Sequence, residues 1–334
     1  MTDPHEAGAY LKATLESQPA ELTRLLSDDS AARAAARLKG SHRIFLVGTG
    51  TSYHGALVGQ FMLRSAGFDA WAVRAFEFAN YPPAMRADDG LILLSHRGSK
   101  RFSRGALDGF AAMSEHWIAI TGEGSTMEGE GVVYTVAQEK SPVHTASHTA
   151  AILRIAQIAV AIGDVPWKGQ LNDLPNQVGR AVDRGEQIAA QVKDIEFRPV
   201  THFVGGGPAR PTALEGALKL REATHLVSAE GHDVEGVLHG PLISIQTGAP
   251  VVLIRQAGPS ESRLGEVEAA LREIGATVLS FAPASDVDEV LAPIVNVVAL
   301  QWLAYHVSRT LGLDADSFRK DEAKYAAAQS KFTL

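Results

Sequence analysis

The hydrophobic positions of the chain form short apolar runs, which are separated by longer stretches with helical spacing. Runs of this kind are typical of strands that are buried on both faces of a parallel sheet. In the first half, the pattern predicts strands at RIFLVG (43–48), AWAVRAFEF (70–78), GLILLS (90–95), WIAIT (117–121) and VVYTV (132–136). Helices are predicted between them, and the long stretch TASHTAAILRIAQIAVAIG (145–163) closes the unit as a helix.

The same plan begins again near residue 200. Strands are predicted at VTHFVG (200–205), LISIQTG (242–248), PVVLIRQ (250–256) and TVLSFAP (277–283), with a helix at RLGEVEAALREIG (263–275). The segments FLVGTG (45–50) and FVGGG (203–207) hold equivalent places in the two halves, since each takes a strand into a glycine loop. The chain therefore repeats an architecture more than a sequence.

These patterns predict an α/β fold of two tandem, doubly wound parallel-sheet domains of the flavodoxin-like type. The first domain is expected over 1–165, including a helical N-terminal arm. Because Pro166, Gly169 and Pro175 interrupt the periodicity, we expect a linker over 166–177. The second domain is expected over 178–312, and a C-terminal tail without a sheet partner over 313–334.

Composition narrows the classes of protein that need to be considered. The 334 residues carry a net charge of −7, which argues against a nucleic-acid partner, because such proteins usually present a basic face. The sequence contains no cysteine, so disulfides and thiolate chemistry are excluded. A long uncharged run, 290–307, contains Pro293, Asn296 and Gln301, so we expect a buried helix and no membrane partner. No export signal is visible at the N-terminus, and we expect a cytoplasmic protein.

The segment ALEGALKLRE (213–222) carries three charges among apolar and small residues. On a helix, Glu215, Lys219 and Glu222 fall within one narrow stripe. The stripe is compatible with a solvated face that forms salt bridges at i,i+4 spacing, worth a few tenths of a kcal/mol. It is equally compatible with a pocket that uses charged groups, and the segment alone leaves both interpretations open.

Two strand ends of the first half have the residues of an anion site. A strand that ends in small residues and opens a helix offers free N–H groups beside the positive end of the helix dipole. GTGTSYHG (48–55) adds the hydroxyls of Thr51 and Ser52 next to Gly50. SHRGSK (95–100) offers Ser95, His96, Arg97, Ser99 and Lys100. Neither loop matches a dinucleotide-binding or a Walker A motif, and tight turns without a ligand are the alternative.

Three further sites carry candidate chemistry. His144 and His148 are four residues apart, but no third ligand is evident nearby, so we expect no metal there and no cofactor elsewhere. His239 is followed by Gly240 and Pro241, which restrict the backbone beside it, although a loop histidine before a strand has the same sequence. The C-terminal lysines are compatible with an exposed helix of alternating charges.

The motifs GTSYHG (50–55), ALEGALKLRE and HGPL (239–242) together resemble the double sugar-isomerase (SIS) domain family, over roughly residues 40 to 330. The resemblance is greatest to the isomerase half of glucosamine-6-phosphate synthase. The glutamine-hydrolysing domain of that enzyme, which has an N-terminal cysteine nucleophile, has no counterpart in the sequence. We therefore expect that the chain is not a complete glutamine-dependent synthase.

The resemblance implies a role for several residues. Glu222 matches the base that moves a proton between C1 and C2 of the open sugar, and Lys219 matches the lysine near the developing oxyanion. Glu215 matches the acidic residue one turn earlier. His239 matches the histidine that opens the sugar ring from the partner subunit, which implies a homodimer with a shared site. Ala323 and Lys324 match the C-terminal Ala-Lys, although the spacing from the preceding DAD (314–316) is one residue longer here.

The sequence departs from the synthase pattern at the phosphate loop, where SHRGSK replaces Ser-Gln-Ser-Gly-Glu-Thr. PVHTA (142–146) likewise stands in place of Val-Ala-Ser-Thr-Lys. The resemblance therefore implies an aldose–ketose isomerase that acts on a sugar phosphate or another anionic sugar through an enediol or enediolamine. A glucosamine-6-phosphate deaminase and a non-catalytic sugar-phosphate sensor are the alternatives. Arg97 is expected to contact the anion, unless it turns outward into a solvated basic edge.

Overall fold

The computed structural model describes residues 6–197, 199–283 and 286–333. The strands of these residues are β1 Arg43–Gly48, β2 Asp69–Arg74, β3 Gly90–Leu94, β4 Trp117–Glu123, β5 Val132–Ala137, β6 Val200–Gly205, β7 Ser228–Asp233, β8 Pro250–Ile254 and β9 Thr277–Phe281. The α-helices are α1 Ala9–Leu26, α2 Ser30–Ala35, α3 Thr51–Ser65, α4 Ala75–Asn80, α5 Arg101–Ala111, α6 Ala146–Ile162, α7 Leu174–Asp183, α8 Gly185–Val192, α9 Ala209–Thr224, α10 Glu261–Ile274, α11 Ala292–Thr310 and α12 Ala323–Gln329.

The chain forms two compact units. One contains the described residues of 20–139, 146–173 and 322–333, and the other contains those of 6–19, 140–145 and 174–321. The first unit holds a five-stranded sheet with the order β2-β1-β3-β4-β5, and the second a four-stranded sheet with the order β7-β6-β8-β9. Every pairing in both sheets is parallel. The predicted α/β fold of two doubly wound parallel sheets is therefore confirmed.

Both faces of the first sheet are covered, as its apolar strands predict. Phe45 and Val47 of β1 pack with Phe78 of α4 and Phe110 of α5. Leu46, between them, points to the other face, where α3 and α6 pack against each other. Because successive side chains of a strand alternate between faces, a strand that is covered on both sides needs a continuous apolar run. This explains why β1 and β3 were recognisable from the sequence.

The second sheet is built in the same way. Val204 and Leu253 pack on one face with Leu264, Val267 and Leu271 of α10. On the other face, α9 packs against β6 and β7 and against α11. The predicted buried helix over 290–307 corresponds to α11, whose central residues are almost all buried. Within the described ranges, no helix has both the length and the apolar character that a membrane span requires.

Two apolar segments that were predicted as strands are partly helical. The predicted strand over 70–78 ends at Arg74, and α4 follows it. Ala75 and Phe78 are buried, which is the three-residue spacing of a helix, although the apolar residues also alternate like those of a strand. The predicted strand over 242–248 is wrong as well. Pro241 begins a short 3₁₀ helix there, since proline suits a helix start and has no N–H for a strand ladder.

The sequence pattern missed β7, whose residues SAEGHD are mostly polar. This strand lies at the edge of the second sheet and is paired on one side only, so it does not need a continuous apolar run. The predicted linker over 166–177 contains a 3₁₀ helix at Lys168–Asp173 and the beginning of α7, and Trp167 is buried. The domain boundaries proposed from the sequence remain predictions.

Candidate active site

The loop between β1 and α3 brings backbone and hydroxyl groups to the end of the first sheet. A Cβ atom at Gly48 would lie 2.5 Å from the carbonyl oxygen of Ser52, so only glycine permits this close turn. Gly50 precedes α3 with a φ of 57°, in the left-handed region that favours glycine. The first two residues of α3 are Thr51 and Ser52, which place two hydroxyls at the positive end of the helix.

A small cavity lies at the carboxyl ends of β1, β3 and β4. In an open parallel sheet, ligands bind where the strand order reverses, and β1 is flanked here by β2 on one side and β3 on the other. The polar residues that line the cavity are Thr51, Ser52, Ser95, His96, Thr121, Thr135, Ser147 and His148. The structure thus brings together four of the predicted binding residues, from two loops that are over 40 positions apart.

Two hydroxyls at this cavity bond to backbone carbonyls, whereas the hydroxyl of Ser95 does not. Thr121 donates a hydrogen bond to the carbonyl of Ser95 at 2.7 Å, and Thr135 donates to the carbonyl of Thr121 at 3.0 Å. Ser95 is buried, yet its Oγ atom has no hydrogen-bond partner among the described residues. Because buried polar atoms are nearly always paired, this hydroxyl indicates a site for a ligand or a water molecule.

His96 lies beside that hydroxyl and is held by backbone groups. Its carbonyl accepts a hydrogen bond from Gln138 at 2.9 Å, and the N–H of Glu139 is 3.4 Å from its Nε2 atom. Burial lowers the pKa of His96 to about 4, and the positive charges of Arg97 and Lys100 act in the same direction. The imidazole is therefore neutral near pH 7 and can donate or accept a hydrogen bond.

The remaining residues of this loop differ in exposure. Arg97 and Ser99 are exposed, and Lys100 is half-buried. The contact of Arg97 with an anion therefore remains a prediction, as does the role of the other residues in the loop.

In the second unit, α9 carries the charged stripe that the sequence predicts. The Nζ atom of Lys219 lies 3.4 Å from a carboxylate oxygen of Glu215 and 2.5 Å from one of Glu222. Glu215 and Lys219 are completely buried, whereas the side chain of Glu222 is 21% exposed. A surface salt bridge is therefore not the right description of this stripe. The buried groups of Glu215 and Lys219 hold the carboxylate of Glu222, which a ligand in solution can reach.

His239 lies in the loop that follows β7. Its Nε2 atom is 2.9 Å from a carboxylate oxygen of Glu235, which also accepts a hydrogen bond from Arg263. The side chain is 73% exposed, and Gly240 follows with a φ of 124°. Ala323 and Lys324 begin α12 and are exposed, with the ammonium group of Lys324 above the ring of Tyr325. In this structure the carboxylate that fixes His239 is thus Glu235.

Sequence reasoning did not predict Ser147 or Gln256 as site residues, and it considered His148 only as a possible metal ligand. Ser147 and His148 of α6 are buried and line the cavity of the first unit. Gln256 follows β8 and is 4% exposed, yet neither its amide nitrogen nor its oxygen has a partner within the described part of the chain. A polar residue directly after a buried strand was the available signal for Gln256. For Ser147 no comparable local signal exists, because it belongs to a largely apolar helix, whereas His148 was noted for its spacing from His144.

Comparison with known proteins assigns part of the chain to a known domain. Residues 37–161, which include the five-stranded sheet, match the family model described as the SIS domain. This part of the chain therefore carries an SIS domain, as its motifs suggested. Among sequence relatives, it is 32% identical to a glutamine–fructose-6-phosphate aminotransferase (isomerizing) of Methanothermobacter thermautotrophicus, over 94% of this chain and 57% of the relative. The chain thus spans about half the length of the curated relatives it matches.

Solved structures show the same fold over almost the whole chain. The C-terminal domain of glucosamine-fructose-6-phosphate aminotransferase from Francisella tularensis aligns with a TM-score of 0.79 and 20% identity, covering 95% of this chain and 99% of that one. A glucosamine-6-phosphate deaminase from Thermotoga maritima aligns with a TM-score of 0.79 and 21% identity, covering 92% and 97%. At these identities the likeness concerns the fold and leaves the reaction open.

Proposed function

We propose that this protein is an aldose–ketose isomerase that acts on a sugar phosphate or another anionic sugar. The observation that carries the proposal is the cluster on α9, where the partly exposed carboxylate of Glu222 is held 2.5 Å from the buried ammonium group of Lys219. A single carboxylate would be enough to balance the positive charge of the buried Lys219. A second carboxylate that also reaches solvent is the arrangement expected of a general base.

In the proposed reaction, the sugar ring first opens with the help of His239. Glu222 then takes the proton from C2 and returns it to C1, while a hydroxyl proton moves from O2 to O1. The enediol intermediate carries developing negative charge on oxygen, and the ammonium group of Lys219 stabilises it. Glu215 keeps Lys219 in place from the opposite side, at 3.4 Å. The sequence resemblance also implies a part for the tail residues Ala323 and Lys324.

We also propose, for the first unit by itself, that its cavity binds an anionic group. Three features support this assignment: the unpaired hydroxyl of Ser95 among the described residues, the hydroxyls of Thr51 and Ser52, and the N-terminal end of α3. Oxygen atoms of a phosphate accept hydrogen bonds from all of these groups. The name of the Methanothermobacter relative, which includes fructose 6-phosphate, agrees with a phosphorylated sugar.

The decisive experiment follows hydrogen exchange at C2 in deuterated water by NMR, with a panel of hexose and aminohexose 6-phosphates. The wild-type protein is expected to exchange the C2 proton of at least one sugar, and Glu222→Gln is expected to lose that exchange. Glu273→Gln, an exposed carboxylate on α10, is the matched control. Release of ammonia from glucosamine 6-phosphate would identify a deaminating enzyme. Binding of sugars with no exchange or turnover would contradict the proposal and support a sensor.

We also propose a homodimer in which His239 acts on the partner's substrate. The exposure of this side chain, 73%, agrees with a residue that reaches away from its own subunit. Equal amounts of inactive Glu222→Gln and His239→Ala should recover about a quarter of wild-type activity after subunit exchange, because half of the dimers then contain one intact site of two. No recovery, with exchange shown by mass spectrometry, would contradict the shared site.

A further inference from the structure

Two histidines and a glutamate form a cluster on β6 and β7 that the proposed reaction does not use. His202 of β6 is the register partner of Glu230 of β7, and His232 lies two residues farther along β7. Glu230 and His232 therefore point to the same face of the sheet. The Nδ1 atom of His202 is 3.1 Å from the Nε2 atom of His232, which is 3.7 Å from a carboxylate oxygen of Glu230.

The cluster lies on the face of the sheet that is opposite to α9. Gly231 stands between Glu230 and His232 and faces α9, since a Cβ atom there would lie 2.7 Å from the backbone of Leu214. The side chains of the two residues that flank Gly231 point to the opposite face of the sheet. The three residues are therefore separate from the carboxylates of Glu215 and Glu222, and a ligand bound to them would not be the sugar.

We propose that His202, His232 and Glu230 bind a divalent transition-metal ion of the zinc class, with water as the remaining ligand. One ligand atom from each residue lies within 4.8 Å of the other two. In a tetrahedral zinc site, with metal–nitrogen distances of about 2.0–2.1 Å, neighbouring ligand atoms are about 3.3 Å apart. The observed separation of the imidazole nitrogens is close to this value, and two imidazoles with one carboxylate suit zinc, nickel and cobalt.

The surroundings favour occupation by an ion. His202 is 5% exposed and His232 is half-buried, so both imidazoles are largely shielded from solvent. Glu230 is 59% exposed and leaves a path from solvent. Burial also weakens competition from water for the imidazole ligands, while the negative charge of Glu230 offsets part of the charge of the ion.

A bound ion would join the edge strand β7 to its only neighbour in the sheet. β7 leads within three residues into the 3₁₀ helix Gly236–Leu238 and then to His239. We therefore assign the ion a structural role: it would hold the end of β7 from which the His239 loop begins. In this role it would raise the thermal stability of the protein without contacting the sugar.

The test is titration of the chelator-treated protein with zinc chloride by calorimetry, and with cobalt chloride by visible absorption. We expect zinc binding that Glu230→Gln weakens about tenfold or more and that His232→Gln abolishes, by the usual effect of losing one ligand. Tetrahedral cobalt should give intense d–d bands in the wild type alone. Zinc should also raise the Tm of the wild type and leave that of His232→Gln unchanged.

His116→Gln is the matched control, because this imidazole already has a partner in the carbonyl of Arg37 at 2.7 Å and should not affect binding. If His232→Gln does not fold, as judged by circular dichroism, the exposed substitution Glu230→Gln decides alone. Zinc affinity and cobalt spectra that are the same in the wild type and in Glu230→Gln would overturn the proposal. The two histidines would then be a hydrogen-bonded pair only.

Discussion

The loop between β1 and α3 and the loop between β6 and α9 make the same close turn at a glycine. The side chains that follow the two turns differ in chemistry. A Cβ atom on Gly48 would lie 2.5 Å from the carbonyl oxygen of Ser52, and one on Gly205 would lie 2.4 Å from that of Ala209. Each helix thus begins close to the end of its central strand, and each sheet reverses its strand order there. The scaffold of the two halves is the same at this point.

The side chains that follow are not the same. α3 begins with the hydroxyls of Thr51 and Ser52 around a small cavity, so helix dipole and hydrogen bonds are available for an anion. α9 begins with Ala209 and the exposed Arg210, and its buried charges, Glu215 and Lys219, appear later. The comparison shows that a repeated fold provides two equivalent strand ends, whereas the residues of the following helix decide what each can do.

The largest expected effect is on kcat, and a comparison of kcat with KM distinguishes the roles of the two halves. Glu222→Gln should lower kcat about 10²–10⁴-fold, which is the usual loss for a general base, with an unchanged fold. Ser95→Ala should instead raise KM about 10–100-fold, because it removes one hydrogen bond to a charged group, worth about 1.5–3 kcal/mol. Steady-state kinetics on the substrate found by exchange would measure both. A Glu222→Gln enzyme with wild-type kcat would show that α9 is not the catalytic half.

The next effect concerns stability. Lys219→Ala should lower the free energy of unfolding by about 3–5 kcal/mol, because Glu215 would stay buried without its counter-charge. Lys168→Ala removes an exposed lysine that pairs with Asp164, and it should change the stability by no more than about 1 kcal/mol. Urea unfolding of both variants provides the comparison. Equal stabilities would mean that water or a neighbouring group compensates Glu215.

The stability of the protein should depend on pH because of His96 in the first half. Its pKa is lowered to about 4 in the folded protein, mainly by burial, so the unfolded chain takes up a proton that the folded protein does not. Stability is therefore lost as the pH falls from about 6.5 towards 4, by at most about 3 kcal/mol from this residue. The loss should be smaller in His96→Gln, and urea unfolding at pH 7 and pH 5 would measure the difference.

Adding inorganic phosphate to the same measurement tests whether an anion binds beside His96. An anion bound beside His96 would favour the protonated imidazole and should reduce the pH dependence of the wild type, but not of His96→Gln. A wild-type profile that phosphate leaves unchanged would indicate that the anion binds elsewhere.

The last expected effect concerns Arg97. If its guanidinium group contacts the anion of the sugar, Arg97→Ala should raise KM about 10–100-fold, as the loss of a charged hydrogen bond of about 1.5–3 kcal/mol implies. It should also weaken competition by phosphate or sulfate. Arg101→Ala is the control, since that exposed side chain lies over the ring of Phe102. Unchanged KM and unchanged inhibition in Arg97→Ala would place its side chain in the solvent.

Much of the fold was determined by the sequence alone. The strands β1, β3 and β8 are buried on both faces, so they must be continuously apolar, and that pattern is local and recognisable. The alignment of Glu215, Lys219 and Glu222 on one helix followed from helical spacing in the same way. The meeting of the Thr51 loop with the Ser95 loop followed from a rule for parallel sheets, which brings carboxyl ends to one edge.

Other features were decided only by the tertiary structure. β7 is polar because it is an edge strand, and no local pattern distinguishes such a strand from a loop. The sequence could not show that Lys219 is buried while Glu222 reaches solvent, since both lie on the same stripe. His202 and His232 are 30 positions apart and meet only because β7 pairs with β6 in one particular register. Spacing along the chain determines which residues share an element, whereas burial and long-range contacts depend on what packs against that element.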